Sequence, residues 1–285
     1  MDVAVVRAAL KQGDIAWDLR QLGVRPGMGV IVHASLSSLG EVQGGAYTVV
    51  RALMEVITPR GTLVMPSFNF GAPFAESSTA AFDPARTPSQ SGAVSDAFWR
   101  LTGVHRSLNP THSFAAWGKD AAELVAGHEH TTTMGPESPL GKLLARGGYV
   151  LHLGTTHAKS TIKHVAEMMH GAPCLGYRKD KYPVLLPNGR VALHTTWRYR
   201  ESACPLTDSG ELIALELQKR GLELSGQVGA ARSTLSPLAA CADIVLELLG
   251  EGAGAAPPCR RCAVRPSPRS AAETLASAET LVRRS

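Results

Sequence analysis

His164 and Glu167 stand three residues apart at the end of the segment VLHLGTTHAKSTIKHVAE, which runs from Val150 to Glu167. A histidine and a carboxylate at that spacing can move a proton. Residues three or four apart are neighbours on a helix, so the acid can orient the ring and bias it towards accepting a proton. An ordinary imidazole titrates near ~6.5, which suits base chemistry close to neutrality. The same stepping carries a polar stripe back through Thr161 to His157. The plain alternative is an exposed helix pair that contributes only a few tenths of a kcal/mol. Two further histidines sit among hydroxyls: His33 opens His33-Ala34-Ser35-Leu36-Ser37-Ser38, and His112 lies in Asn109-Pro110-Thr111-His112-Ser113. His157, His164, Glu167 and His170 are all metal-ligand types, but steps of three drift around a helix and His164, Glu167 and His170 do not keep one face. No metal is expected. No cysteine falls within these motifs, which disfavours a thiol nucleophile.

The elements that must position these residues alternate between strands and helices. The first twenty or so residues read as a helix, the stretch Gly23 to Gly27 as a turn, and Val30 to His33 as a buried strand. A helix from about Tyr47 to Ile57 then leads through Pro59-Arg60-Gly61 into a second strand, Thr62 to Met65. Val150 to Leu153 is a third, broken at Gly154. This alternation predicts an α/β fold with a largely parallel or mixed central sheet flanked by helices. Ligands of such sheets bind in the crevice beyond the carboxyl ends of the strands, where His33 to Ser38, Met65 to Phe68 and Gly154 to His157 would converge. Gly71 to Gln90 reads as a long loop, Ser95 to Leu101 as a short helix and Thr111 to Ala116 as a strand. Tyr182 to Arg200 reads as a hairpin turning at Pro187-Asn188-Gly189, and Leu206 to Arg220 and Ser236 to Leu249 read as helices.

Composition narrows the class. At 285 residues and 44% apolar side chains, the chain can build one large domain, placed at residues 1–250. Most of the net charge of +5 comes from the last segment, residues 251–285, a glycine-, alanine- and proline-rich tail that carries six arginines and three acids. The body before it is close to neutral, which argues against a nucleic-acid partner. The tail reads as flexible, and its basic charge could dock an acidic carrier protein. There is neither a signal-peptide pattern nor an apolar run long enough to span a membrane, so a cytoplasmic protein without a membrane partner is expected. The five cysteines then read as free thiols. Cys259-Arg260-Arg261-Cys262 supplies only half of a zinc site.

No P-loop, dinucleotide fingerprint, nucleophile elbow or zinc-protease motif occurs. The ordered blocks that do occur are Val32-His33-Ala34-Ser35-Leu36-Ser37-Ser38-Leu39-Gly40, Gly61 to Phe68, Phe82-Asp83-Pro84 and Gly92 to Arg100. They continue with Arg106 to Gly118, Gly135 to Gly141, and Gly154 through Thr161-x-x-His164-Val165-Ala166-Glu167. Collinear from about Gly23 to Gly250, this pattern resembles the aminoglycoside 3-N-acetyltransferase family, with its antibiotic N-acetyltransferase fold.

The resemblance implies direct transfer of an acetyl group from acetyl-CoA to the 3-amino group of a 2-deoxystreptamine aminoglycoside, by a monomer or homodimer. It implies His164 as catalytic base and Glu167 as the acid that orients it. His33, Ala34, Ser35, Leu36, Ser37 and Ser38, with Met65 and Ser67, match the pantetheine and pyrophosphate site, and Thr111 and Ser113 the thioester border. Two positions depart from the pattern. Ala158-Lys159 follows His157 where an acid is common, and Asn109 stands where histidine is common. The loss of an acid favours a second reading, an N-acyltransferase that acts on a different amine in a secondary-metabolite pathway.

Overall fold

The structure, a computed structural model, describes residues 9–69, 81–172, 175–198, 204 and 206–250. The basic tail at 251–285 and residues 71–80 of the expected long loop lie outside the described residues. In chain order, helix α1 (Gln12–Leu22) leads to strand β1 (Gly29–Ala34), α2 (Gly45–Ile57), β2 (Thr62–Pro66) and α3 (Ala93–Trp99). Then come β3 (His105–Arg106), β4 (Phe114–Gly118), α4 (Ala121–Val125), α5 (Pro139–Ala145), β5 (Tyr149–Leu153) and α6 (Ile162–His170). A hairpin of β6 (Gly176–Leu185) and β7 (Val191–Arg198) precedes α7 (Glu211–Lys219), β8 (Leu224–Val228), β9 (Ala231–Pro237) and α8 (Leu238–Gly250).

The main sheet has seven strands in the order β3-β4-β2-β1-β5-β9-β8, and the hairpin forms a separate two-stranded sheet. The expected mixed sheet flanked by helices is present. Its parallel part is confined to β1, β2 and β5, and β4, β3, β9 and β8 pair antiparallel on either side. Short connections permit that: β8 returns to β9 through a two-residue turn at Gly229 and Ala230, whereas parallel neighbours require a crossover.

Side chains alternate between two cores. On β1, Val30 and Val32 pack with α1 and α2, while Ile31 packs on the opposite face with Val165 and Ala166 of α6. On β5, Leu151 and Leu153 share the first core and Val150 the second. His33 and His152 are the next residues on the α6 face of their strands, and they are register partners. Parallel pairing alone therefore brings two histidines side by side at the carboxyl end of the sheet.

Several elements differ from the sequence reading. Ser236 belongs to β9 and α8 starts at Leu238. Residues 206–209 form a turn, so α7 starts only at Glu211, after Gly210 in the left-handed region at φ 72°. A Cβ at Gly210 would meet the backbone of His157 and Ala158 at 2.4 and 2.5 Å, so this glycine lets the turn pack against the loop before α6. Among the described residues no helix is long and apolar enough to cross a membrane.

Candidate active site

Helix α6 carries His164 and Glu167. Ile162, Val165 and Ala166 are buried towards α8, and each large aliphatic side chain so placed stabilises the helix by about 1.5–3 kcal/mol. The helix ends at Gly171, left-handed at φ 70°. His164 and Glu167 project from one side, and His164 Nδ1 lies 2.8 Å from Glu167 Oε2. The carboxylate is fully buried, and its other oxygen accepts a 2.5 Å hydrogen bond from Thr207 Oγ1. A buried carboxylate is an acceptor only, so it draws the proton of the neutral imidazole to Nδ1 and leaves Nε2 as the basic nitrogen.

His164 lines a cleft of about 1130 Å³ at the carboxyl end of β1, β2 and β5. His33, Ala34, Ser35, Leu36, Ser37 and Thr111 also line it. Ser38 does not: its hydroxyl bonds Ser35 Oγ at 2.8 Å and so serves the loop itself. Met65 lies wholly in the α2-side core, and Pro66 and Phe68 take the cleft positions beside it. Ser67 and Ser113 are fully buried behind that wall, with Ser113 Oγ donating to the Ser67 carbonyl at 2.6 Å. The structure thus brings His164, the β1 loop and Thr111 together around one space, with Ser38, Met65, Ser67 and Ser113 supporting it from behind.

His157 corrects the continuous polar stripe. A 3₁₀ turn over His157–Lys159 ends before α6 begins, which takes His157 off the helix face. Its Nε2 lies 2.6 Å from Glu223 Oε2, and both side chains are buried. Burial alone would raise the Glu223 carboxyl, but its hydrogen bond and charge interaction with His157, together with hydrogen bonds from Gln218 and Ser236, outweigh this and hold it below the usual range. The His157 ring packs at 4.3 Å on His152, which stacks on His33 at 5.7 Å. His33 is pushed down to about 3, chiefly by burial and further by Lys163, His157 and His164. It is a neutral imidazole at any working pH.

Three further side chains, each within one of the ordered blocks, support the site. Lys163 is buried and donates to the carbonyls of Ala158 at 2.9 Å and Asp208 at 3.0 Å, tying both flanking loops to α6. Arg106 is held at the β3–β4 edge by the carbonyls of Ser67 and Thr87 and by the rings of Trp99 and Phe82. Burial brings it down to about 10. Asn109 Oδ1 accepts the backbone N–H groups of Thr111 and His112 and so shapes the turn on which both stand. Apart from its spacing of two and three residues from those amides, nothing in the string announced that role. His112 itself lines the cleft. Among the described residues no group of three histidine, cysteine or acidic side chains is placed to hold a metal ion.

The family model described as aminoglycoside 3-N-acetyltransferase matches residues 31–250. The chain belongs to the aminoglycoside 3-N-acetyltransferase family. It is therefore an acyltransferase of that family's type. It is similar to the SPbeta prophage-derived aminoglycoside N(3')-acetyltransferase-like protein YokD of Bacillus subtilis (strain 168), 39% identical over 171 residues. That match covers 54% of this chain and 63% of YokD, less than two thirds of its length. The aminoglycoside N(3)-acetyltransferase IV of Salmonella sp is 31% identical over 246 residues, which cover 85% of this chain and 87% of that protein. Among solved structures, AAC-IIIb binary with CoASH superposes with a TM-score of 0.75 at 26% identity, covering 85% of this chain and 97% of that one.

Proposed function

We propose that the protein transfers the acetyl group of acetyl-CoA directly to the 3-amino group of a 2-deoxystreptamine aminoglycoside, with His164 as general base. The observation that carries this reading is the His164–Glu167–Thr207 chain, whose basic end belongs to a residue of the cleft wall. The names of relatives that span most of this chain supply the substrate class.

The residues fit both substrates. The cleft is large enough for a pantetheine arm and part of an amine acceptor, and its apolar members, Val32, Leu36, Val42 and Met134, suit a thioester chain. An amine near neutral pH is mostly ammonium; it loses one proton to solvent to free its lone pair, and the neutral amine sheds a second proton as it attacks. Nε2 of His164 takes that proton, and Glu167 stabilises the imidazolium without becoming protonated itself. The nitrogen–carbon bond forms, the carbon–sulfur bond breaks, and the imidazolium returns a proton to the departing sulfur. A thiolate is a good enough leaving group that no covalent enzyme intermediate is required. Holding both reactants in one cleft supplies much of the remaining acceleration.

The test is thiol release from acetyl-CoA with gentamicin, kanamycin or apramycin as acceptor, followed by NMR of the product. Drug-dependent release with acetylation at the 3-amino nitrogen is expected. Acetylation at another nitrogen, or of a different amine only, would overturn the assigned position.

A further inference from the structure

Base catalysis by His164 accounts for the proton but not for the negative charge that gathers on the acyl oxygen as the amine attacks. That charge needs a donor already in place, in a site where reorganisation is small. The geometry points to His33 as that donor, with its Nδ1–H hydrogen-bonded to the acyl oxygen of the thioester and to the oxyanion that follows. The inference rests on the acyl transfer proposed above.

Position comes first. His33 closes β1 at the cleft, and Thr161, one turn ahead of His164 at the start of α6, touches it. The tautomer follows from that contact. The backbone N–H of Thr161 can only donate, and it points at His33 Nε2 from 3.4 Å, a long hydrogen bond joined by the Thr161 hydroxyl at the same distance. An Nε2 that accepts places the proton of a neutral ring on Nδ1. Burial, and after it the Lys163 cation, keep the ring neutral, so His33 does not compete with His164 for the proton.

Nδ1 is also available. It makes no hydrogen bond to a described residue, and it is not among the buried polar atoms that are sealed off without a partner, as His152 Nε2 and His157 Nδ1 are. It therefore keeps surface, and the space that His33 borders is the cleft. The ring is fixed from behind: it stacks on His152 with 18° between planes, His152 packs on His157, and Glu223 anchors His157. A row of three buried histidines gives a neutral donor that does not swing. During acyl transfer His33 keeps its proton throughout, while His164 carries the proton from nitrogen to sulfur.

Two variants separate donation from packing. His33→Phe keeps a flat ring against His152 and removes the donor. His33→Asn places an amide N–H near the position of Nδ1. Loss of one oxyanion donor costs about 10²–10³-fold in kcat. His33→Phe should show that loss with KM for acetyl-CoA little changed, and His33→Asn should recover most of it. A loss shared equally by both variants, or one confined to KM for acetyl-CoA, would overturn the inference. The second readout needs no turnover: infrared difference spectra of carbonyl-¹³C acetyl-CoA bound to the His164→Ala protein. A carbonyl stretch displaced to lower frequency, and restored to its free value by adding His33→Phe, is expected. No displacement with His33 present would refute the role. Failure of acyl transfer itself would look different: a displaced stretch on bound acetyl-CoA, with no thiol released by any amine.

Discussion

Replacing Glu167 with glutamine changes almost nothing in shape and removes one charge. The carboxylate is wholly buried, 2.8 Å from His164 Nδ1 and 2.5 Å from Thr207 Oγ1. A glutamine can keep its carbonyl towards His164 and turn its amide to Thr207, whose hydroxyl rotates to accept. The tautomer of His164 then survives. What is lost is attraction between carboxylate and imidazolium, about 4 kcal/mol for charge centres ~4 Å apart at an effective dielectric of ~20. Only the part that grows between ground and transition state reaches the rate, about half or more of it. The expected fall in kcat is then roughly 30- to 1000-fold, since each 1.4 kcal/mol is about tenfold. KM for acetyl-CoA should move little, because Glu167 lies behind the cleft wall. Stopped-flow detection of thiol release at saturating acetyl-CoA and acceptor measures this, with a melting curve to show that the buried amide is tolerated. A folded Glu167→Gln protein within about threefold of wild-type kcat would rule out this role for the Glu167 charge.

Acid should destabilise the fold well before ordinary carboxylates titrate. His33 and His128 are held at about 3 and 4, and His152 well below 6.5, in each case first by burial. Below pH ~6.5 the unfolded chain binds protons that the folded chain refuses. Stability is therefore complete above that pH and declines as pH falls, with a slope of up to about 1.4 kcal/mol per pH unit for each histidine. Urea midpoints between pH 7.5 and 5 will show this, and a flat profile would contradict the neutrality of His33, His128 and His152. Lys159 is an exposed cation on the cleft wall. Lys159→Glu should lower KM for a polycationic acceptor about three- to tenfold and leave a monoamine unchanged, with the difference fading in high salt. An equal change for both acceptors would refute an electrostatic role.

The strand–loop–helix alternation around β1, α2 and β2 was legible because fully apolar runs such as Val30-Ile31-Val32 stop at glycine and hydroxyl clusters. His164 and Glu167 were legible for the same local reason: three residues on a helix place them together. The strands β8 and β9 were not. Leu224-Ser225-Gly226-Gln227-Val228 is an exposed edge strand without an apolar alternation to betray it, and its partner continues directly into α8. Thr207, Glu223 and Lys163 escaped because their roles depend on contacts made across the fold; Glu223 meets His157 from 66 positions away. The same holds for His33, whose place at a strand end was visible but whose neutrality depends on His152, His157 and Lys163 closing around it.

The proposed reaction turns on His164 as acceptor of the attacking amine's proton. Single-turnover acetyl transfer by the His164→Ala protein, with acetyl-CoA and acceptor both bound, tests it most directly. Intact binding of acetyl-CoA is expected, with a rate constant reduced about 10²–10⁴-fold, the usual contribution of a positioned base. Transfer at a rate close to that of wild type would contradict it.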